Sequence, residues 1–197
     1  MSRKVKLVEY HLDAKGIKKL PFDEIKAILR GADPLIARGG RNLLAKLLKG
    51  SRSKDVLTNA LDRNPVYGYF RDSSNEEILA RIDWTILNGY LAIRYDYRLP
   101  LLVYSDRGWK IERETYASEL LRGFDDRLAA LAAGGPPLDM SDLKDKNREL
   151  IWLLLDKVEA TQDPKYIPVL KAWEKIDYAK VRQRIRQVIN NLIRAES

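Results

Sequence analysis

The stretch SSNEEILARIDWTILNGYLAIRYDYRLPLLVY, residues 73–104, changes its hydrophobic period half-way along. Ser73 and Ser74 each stand three residues before a glutamate, Glu76 and Glu77, so a capping box is available in either register. Ile78, Leu79, Ile82, Ile86 and Leu87 follow at helical spacing, which predicts a helix from about Asn75 to Asn88, with Gly89 as its C′ residue. From Tyr90 to Tyr95, and again from Leu101 to Tyr104, the pattern alternates and is partly β-branched or aromatic. Asp96 to Pro100 between them is short enough for a hairpin. A capped helix running directly into a hairpin predicts the third helix and the wing of a winged helix-turn-helix.

The flanks supply the other helices. Asn64-Pro65 breaks the chain, and Val66 to Phe70 is an aromatic connector. Before it, Ser51 or Ser53 caps a helix through Leu61, with Val56, Leu57, Ala60 and Leu61 inward. Asn42 to Leu48 reads as another helix, closed by Gly50. Pro21 opens a helix to about Arg30 with Phe22, Ile25, Ile28 and Leu29 as its apolar face and Gly31 as its end. Asp33-Pro34 starts a short helix that Gly39-Gly40 stops. Val5, Leu7 and Tyr10 fit a short strand or a packed arm.

Downstream, Trp109 and Ile111 lead into a helix through Leu131, and Gly134-Gly135-Pro136-Pro137 is the clearest linker. Helical stretches follow at about 141–159, 164–175 and 178–195. Asp163 and Asp177 are caps, and Val181, Ile185, Val188 and Leu192 form one stripe. Trp84, Trp152 and Trp173 fall on or near apolar stripes and read as core. The fold class is α+β, mostly α: a winged helix-turn-helix with an N-terminal helical extension and a C-terminal helical domain. Residues 1–111 form the winged-helix domain with its extension, 112–135 a connecting helix and linker, and 136–197 the helical domain. For the last, an ordinary bundle and a HEAT-type repeat both stay open.

Composition narrows the chemistry. The chain has no cysteine, which excludes disulfides and thiolate metal sites, and His11, its single histidine, reads as solvent-facing. Serine–histidine–aspartate and cysteine–histidine chemistry is therefore not supported. Glu76/Glu77 and Asp125/Asp126 are consecutive on helices and point to different faces, so neither is an acid–base couple. No apolar run approaches the roughly 20 residues that cross a bilayer, and no secretory signal follows the basic N-terminus. The expected location is the cytoplasm, with association to the nucleoid left open. No catalytic residue, cofactor or metal is expected. The net charge is +8 and lies entirely in one half: residues 1–111 hold 21 Lys/Arg against 13 Asp/Glu, and residues 112–197 hold 15 of each. A basic half attracts phosphates by counterion release; it also fits a merely soluble basic surface.

Five short motifs stand in a fixed order: Leu48-Lys49-Gly50-Ser51, Asp62-x-x-x-x-Tyr67-Gly68, Glu77-x-x-x-x-Ile82, Leu87-x-Gly89-Tyr90-Leu91, and Leu101 to Gly108 ending Asp106-Arg107-Gly108. Together they make residues 47–111 resemble the RQC winged helix, the DNA-gripping module of RecQ helicases. The whole chain also resembles the standalone RQC-like proteins of bacteria, called minor RQC proteins. The resemblance implies DNA as partner and a place in DNA repair. It does not extend to the helicase motor: there is no G-x-x-x-x-G-K-[ST] phosphate loop, nor the cysteines of the zinc subdomain that precedes many RQC domains. The expectation is a non-enzymatic protein that recognises DNA structure or ends, at a fork, junction or quadruplex.

Two segments carry that expectation. Lys49, Gly50, Ser51, Arg52, Ser53 and Lys54 surround a helix start, where free N–H groups and added cations favour an anion; a plain cap with solvated lysines is the other reading. On the wing, Arg94, Tyr97 and Arg98 interleave cation and aromatic. A two-residue turn prefers Asp-Gly, so Tyr97 after Asp96 either widens the loop or projects its ring outward. The resemblance implies that this hairpin meets a duplex end, where an exposed ring can stack on a base. Tyr95 is expected to pack inward beside Ile93. The helix at 75–88 offers Glu76, Glu77, Arg81, Asp83 and Asn88 outward, an acidic balance that suits neither phosphates nor most base edges. This disfavours a winged-helix transcription regulator reading operator sequence. A protein-interaction scaffold, with the C-terminal helices presenting the partner surface, is the other alternative. RNA stays open, because phosphate contacts alone do not distinguish it from DNA. Lys180, Arg182, Arg184 and Arg186 form a basic edge on the last helix and read as a solvated face.

Overall fold

The computed structural model describes residues 11–195, so the reading of Val5, Leu7 and Tyr10 lies outside the described residues. The chain forms two compact units, Met1–Glu112 and Arg113–Ser197. Among the described residues there are eight α-helices and one two-stranded sheet, a mostly α, α+β winged-helix architecture. No helix among them is long and apolar enough to cross a membrane.

The first unit runs α1 (Phe22–Ala32), a 3-10 turn at Asp33–Leu35, α2 (Arg41–Lys49), α3 (Lys54–Thr58), α4 (Asn75–Leu87), β1 (Leu91–Asp96), β2 (Leu99–Tyr104) and the start of α5 (Asp106–Ala132). Ile28 and Leu29 of α1, Leu44, Leu47 and Leu48 of α2, Ile78 and Ile82 of α4, and Leu91 and Leu102 of the hairpin build one core. The expected capping box forms at Ser74: its Oγ accepts from Glu77 N–H at 3.2 Å, and Glu77 Oε2 accepts from Ser74 N–H at 2.7 Å. β1 and β2 are antiparallel with Ile93 opposite Leu102 and Asp96 opposite Leu99. Ala37 N–H donates to Leu102 O at 2.8 Å and Leu102 N–H to Gly39 O at 2.9 Å, which fastens the α1–α2 connection to the outer edge of the hairpin.

Two glycines set how closely the helices approach. Gly31 does not end α1; it is buried inside it, and a Cβ there would lie 3.1 Å from Leu44 Cδ1 and 3.2 Å from Leu48 Cδ2. Gly108, in the first turn of α5, is the tighter case: a Cβ would stand 1.9 Å from the Tyr90 carbonyl oxygen. The chain leaving α4 and the chain entering α5 thus meet backbone to backbone.

Several inward assignments change. Phe22 is exposed, with Lys26 Nζ 5.3 Å from its ring centroid, and Leu57 and Leu87 are exposed as well. The helix after Ser53 is one short turn ending at Thr58, followed by a 3-10 turn at Leu61–Arg63, so Ala60 falls at its αL exit and faces solvent while Val56 and Leu61 stay buried. Asp83 is buried instead of outward: its carboxylate takes Arg41 Nη1 at 2.6 Å and Asp13 N–H at 3.0 Å. The apolar face of α4 is wider than its periodicity indicates, because α2 and the segment after His11 both cover it.

The second unit holds the rest of α5, α6 (Arg148–Thr161), α7 (Ile167–Glu174) and α8 (Ala179–Ala195). Phe124 of α5 meets Trp173 edge to face at 6.0 Å, among Leu154, Val169 and Ile185, so the Gly134–Pro137 stretch lies within this unit. α6 begins at Arg148, after a 3-10 turn at Ser141–Leu143, because Asn147 accepts the Glu149 N–H at 2.9 Å and starts the helix there. Val181, Ile185, Val188 and Leu192 are all buried, as the stripe predicts, and Trp173 is fully enclosed while Trp152 is only half-buried. Asp163 caps Lys165 N–H at 2.9 Å; Asp177 is buried and takes Trp173 Nε1 at 2.7 Å.

Gly108→Ala is expected to destabilise the fold by at least about 1–3 kcal/mol, since backbone must move to admit the methyl. Gly123→Ala, in the same helix with nothing within 4 Å of the new Cβ, is expected to stabilise by up to about 1 kcal/mol through helix propensity. Urea denaturation of the two variants should move the midpoint in opposite directions.

Candidate nucleic-acid interface

Alternation along β1 places Leu91, Ile93 and Tyr95 on one face, opposite Tyr104, Leu102 and Pro100. Their burial falls outward: Leu91 is buried, Ile93 half-buried, and Tyr95 is 39% exposed. Tyr95 therefore does not pack inward as its alternation suggests, because the core ends at Ile93 and the hairpin continues past it. At the base, the Tyr104 hydroxyl donates to Leu29 O at 2.9 Å, and burial pushes its phenol far above the usual range. The base is thus fixed to α1 while the tip stands free of the core.

At the tip, the turn is not widened. The Asp96–Leu99 pairing leaves Tyr97 and Arg98 as a two-residue turn, and Tyr97 occupies φ +50°. The residue is 94% exposed. Arg94 lies on the opposite face from Tyr95, and both Arg94 and Arg98 are exposed. Leu99, 65% exposed beside the turn, completes the cluster; the sequence signal for it is alternation alone, which places it outward without marking it as part of a site. The wing tip therefore combines two cations with three exposed apolar or aromatic side chains.

The segment from Lys49 to Lys54 divides between structure and surface. Lys49 Nζ donates to Arg71 O at 2.6 Å and Ser73 O at 2.7 Å, so it fastens the turn that leads into α4. Gly50 ends α2 at φ +78°, where a Cβ would lie 3.1 Å from Gly68 Cα; the close neighbour is another loop of the same unit. Ser51 O accepts the Tyr67 hydroxyl at 3.1 Å and Ser51 Oγ accepts Ser53 N–H at 3.2 Å. Ser53 precedes α3, which has five residues, and makes no side-chain cap bond. Such a short helix adds little dipole, so attraction for an anion here rests on side-chain charge, with Arg52 and Lys54 exposed and Lys49 also holding two carbonyls. The order of the Lys49-Gly50-Ser51 and Tyr67-Gly68 motifs follows from this mutual packing.

α4 presents no cation for groove reading. Arg81 Nε donates to Glu24 Oε2 at 3.2 Å and its guanidinium lies 5.3 Å from the Phe70 ring centroid. The exposed side chains of α4 are Asn75, Glu76, Glu77 and Leu87. Lys15 bonds Glu76 at 2.6 Å, which raises the lysine and lowers the carboxyl; the Ser74 backbone amide holds the Glu77 carboxyl low. The carboxylates at the start of α4 thus remain ionised at neutral pH.

Residues 22–121, half of the chain, match the family model of the RQC domain. The chain belongs to the RQC domain family. This is the winged-helix domain associated with DNA binding in RecQ helicases. No curated protein and no solved structure matches the chain. The matched span begins at α1, so the RQC unit here includes a helix that lies upstream of the five-motif order starting at Leu48.

Within this RQC unit, Lys49→Ala is expected to lower stability by about 1–3 kcal/mol, because it frees carbonyls from a charged donor. Arg52→Ala and Lys54→Ala are expected to stay within about 0.5 kcal/mol. Chemical denaturation of the three single variants checks this division.

Proposed function

We propose that this RQC-family protein binds DNA at ends or branch points, with the wing tip set against an exposed base and nearby cations on the phosphates. The observation that carries the reading is Tyr97, an almost wholly exposed ring held at positive φ between Arg94 and Arg98. A non-glycine side chain in this region costs about 1–3 kcal/mol. A turn that sacrifices that much stability to present a ring in water fits a ring whose packing partner is another molecule. Stacking on an unpaired or terminal base is worth roughly 1–3 kcal/mol and tolerates any sequence. The acidic exposed face of α4 favours this over insertion of α4 into a major groove.

The chain binds without turning over ATP, since the sequence has no phosphate-binding loop. No DNA-stimulated phosphate release is expected from the purified chain; turnover abolished by mutating one of its own residues would overturn this.

Tyr97→Gly separates the two roles of the residue. Glycine accepts the positive φ, so the hairpin should gain stability, while the ring is lost. Affinity for a forked duplex is expected to fall by an amount worth roughly 1–3 kcal/mol, with little change on a closed circular duplex. A more stable variant that binds the fork as tightly as the parent would remove Tyr97 from the interface.

A further inference from the structure

The second unit is close to neutral, with 15 Lys/Arg against 14 Asp/Glu over residues 113–197, and seven of those cations sit in ion pairs among the described residues. Arg113 pairs with Glu149 at 2.6 Å, Arg127 with Asp142 at 2.9 Å, Lys157 with Glu114 at 2.9 Å, and Lys165 with Asp125 at 3.2 Å. On α8, Arg184 is held by Asp156 at 2.8 Å and Glu159 at 2.6 Å. The basic edge of that helix is therefore not uniform: Arg184 faces α6 and is neutralised, while Arg182 and Arg186 turn the other way.

On that other side, Lys171, Glu174 and Lys175 of the α7 end line one open cleft of about 510 Å³ with Arg182 and Arg186 of α8. Lys171 and Lys175 are four residues apart, as are Arg182 and Arg186, so two like-charge pairs face a common space. The single carboxylate, Glu174, is engaged by Arg186 at 2.6 Å. Lys171, Lys175 and Arg182 are exposed and have no ion pair or side-chain hydrogen bond among the described residues. Clustered like charges repel in the free protein, and here four cations share one cleft with a single carboxylate. Two cation pairs on adjacent helices suit a ligand with repeated negative charges.

We propose that the α7–α8 cleft is a second nucleic-acid contact, a sequence-independent seat for the phosphate backbone that acts separately from the wing. Lys171, Lys175 and Arg182 supply the charge, and Arg186 joins them through its exposed guanidinium. The cleft would hold DNA without reading bases, since these side chains meet phosphates as charges. An acidic protein segment would also complement the charge; the nucleic acid is favoured because the same chain carries the RQC domain, whose family association is with DNA.

The test uses the full chain with Lys171→Ala, Lys175→Ala and Arg182→Ala combined, compared with a control of equal charge change, Arg122→Ala, Lys144→Ala and Arg194→Ala. Circular dichroism verifies folding, and affinity for a closed circular duplex is measured over a salt series. The cleft variant should weaken binding at least tenfold and flatten the dependence of log K on log salt by roughly 0.9 for each phosphate no longer neutralised, with the fork-over-duplex ratio unchanged. The control should retain most of the parent's affinity. Loss of the ratio alone belongs to the wing, so failure here and failure of the wing reading are distinguishable. Unchanged affinity and slope in the cleft variant would overturn the proposal, as would an equal loss in the control, which would make the effect one of net charge. Parent-like DNA binding together with lost binding of a polyglutamate peptide would replace the nucleic acid by an acidic protein partner.

Discussion

The first unit depends on the ion pair between Arg41 and Asp83. Arg41 is the first residue of α2 and Asp83 lies in the middle of α4, so a buried charged contact ties the start of α2 to α4 alongside the apolar core that both helices share. The Asp13 backbone N–H is a further donor, so the segment preceding α1 is anchored to the same carboxylate. A buried pair contributes little net stability against an apolar substitute, yet removing one partner strands a charge at a cost of about 3–5 kcal/mol. Its contribution is thus geometric. With α4 locked by its flank, the chain must leave through Gly89 to Tyr90, and the hairpin base is committed to the space between α1 and the start of α5.

That commitment explains the wing's graded burial. The tight approach of Gly108 to Tyr90 and the Tyr104–Leu29 bond pin the base of the hairpin, and Leu91 and Leu102 seal it. Beyond Ile93, no side chain of the core is available to cover it. Two strands without a third sheet partner at their tips are held only by their own ladder and by the tightness of the turn. A two-residue turn keeps the tip from splaying, and Tyr97 bears the conformational cost of that turn. Stiffness without burial is what an external contact requires, because little ordering entropy is left to lose on binding.

Much of this was legible in the sequence. The switch of period after Gly89, the Ser74–Glu77 box and the outward Tyr97 are local features, and local rules read them correctly. What escaped depends on contacts between distant segments. Asp83 looked solvent-facing because periodicity knows nothing of Arg41, forty-two residues away. The bonds of Lys49 to the carbonyls of Arg71 and Ser73 exist only after the loops fold together, so no local rule shows its structural role. Tyr95 obeyed its alternation, but alternation gives the face of a strand and not how far the core extends beneath it. Gly31 resembled a helix stop because a glycine required by packing and one required by φ are identical as letters.

Charge shows the same limit in a different form. Half-chain sums put all the excess positive charge in residues 1–111 and none in residues 112–197, yet net charge is an average over directions. In the second unit Asp156 and Glu159 hold Arg184 on one flank of α8, while Arg182 and Arg186 collect with two lysines on the other. The arrangement leaves the sum close to zero and the field uneven. At physiological ionic strength, charges more than about 8 Å away are largely screened, so a phosphate approaching the cleft responds mainly to the cations lining it and hardly to carboxylates on the far flank. A nearly neutral unit can therefore present a strongly basic surface, and where the carboxylates sit matters more than how many there are.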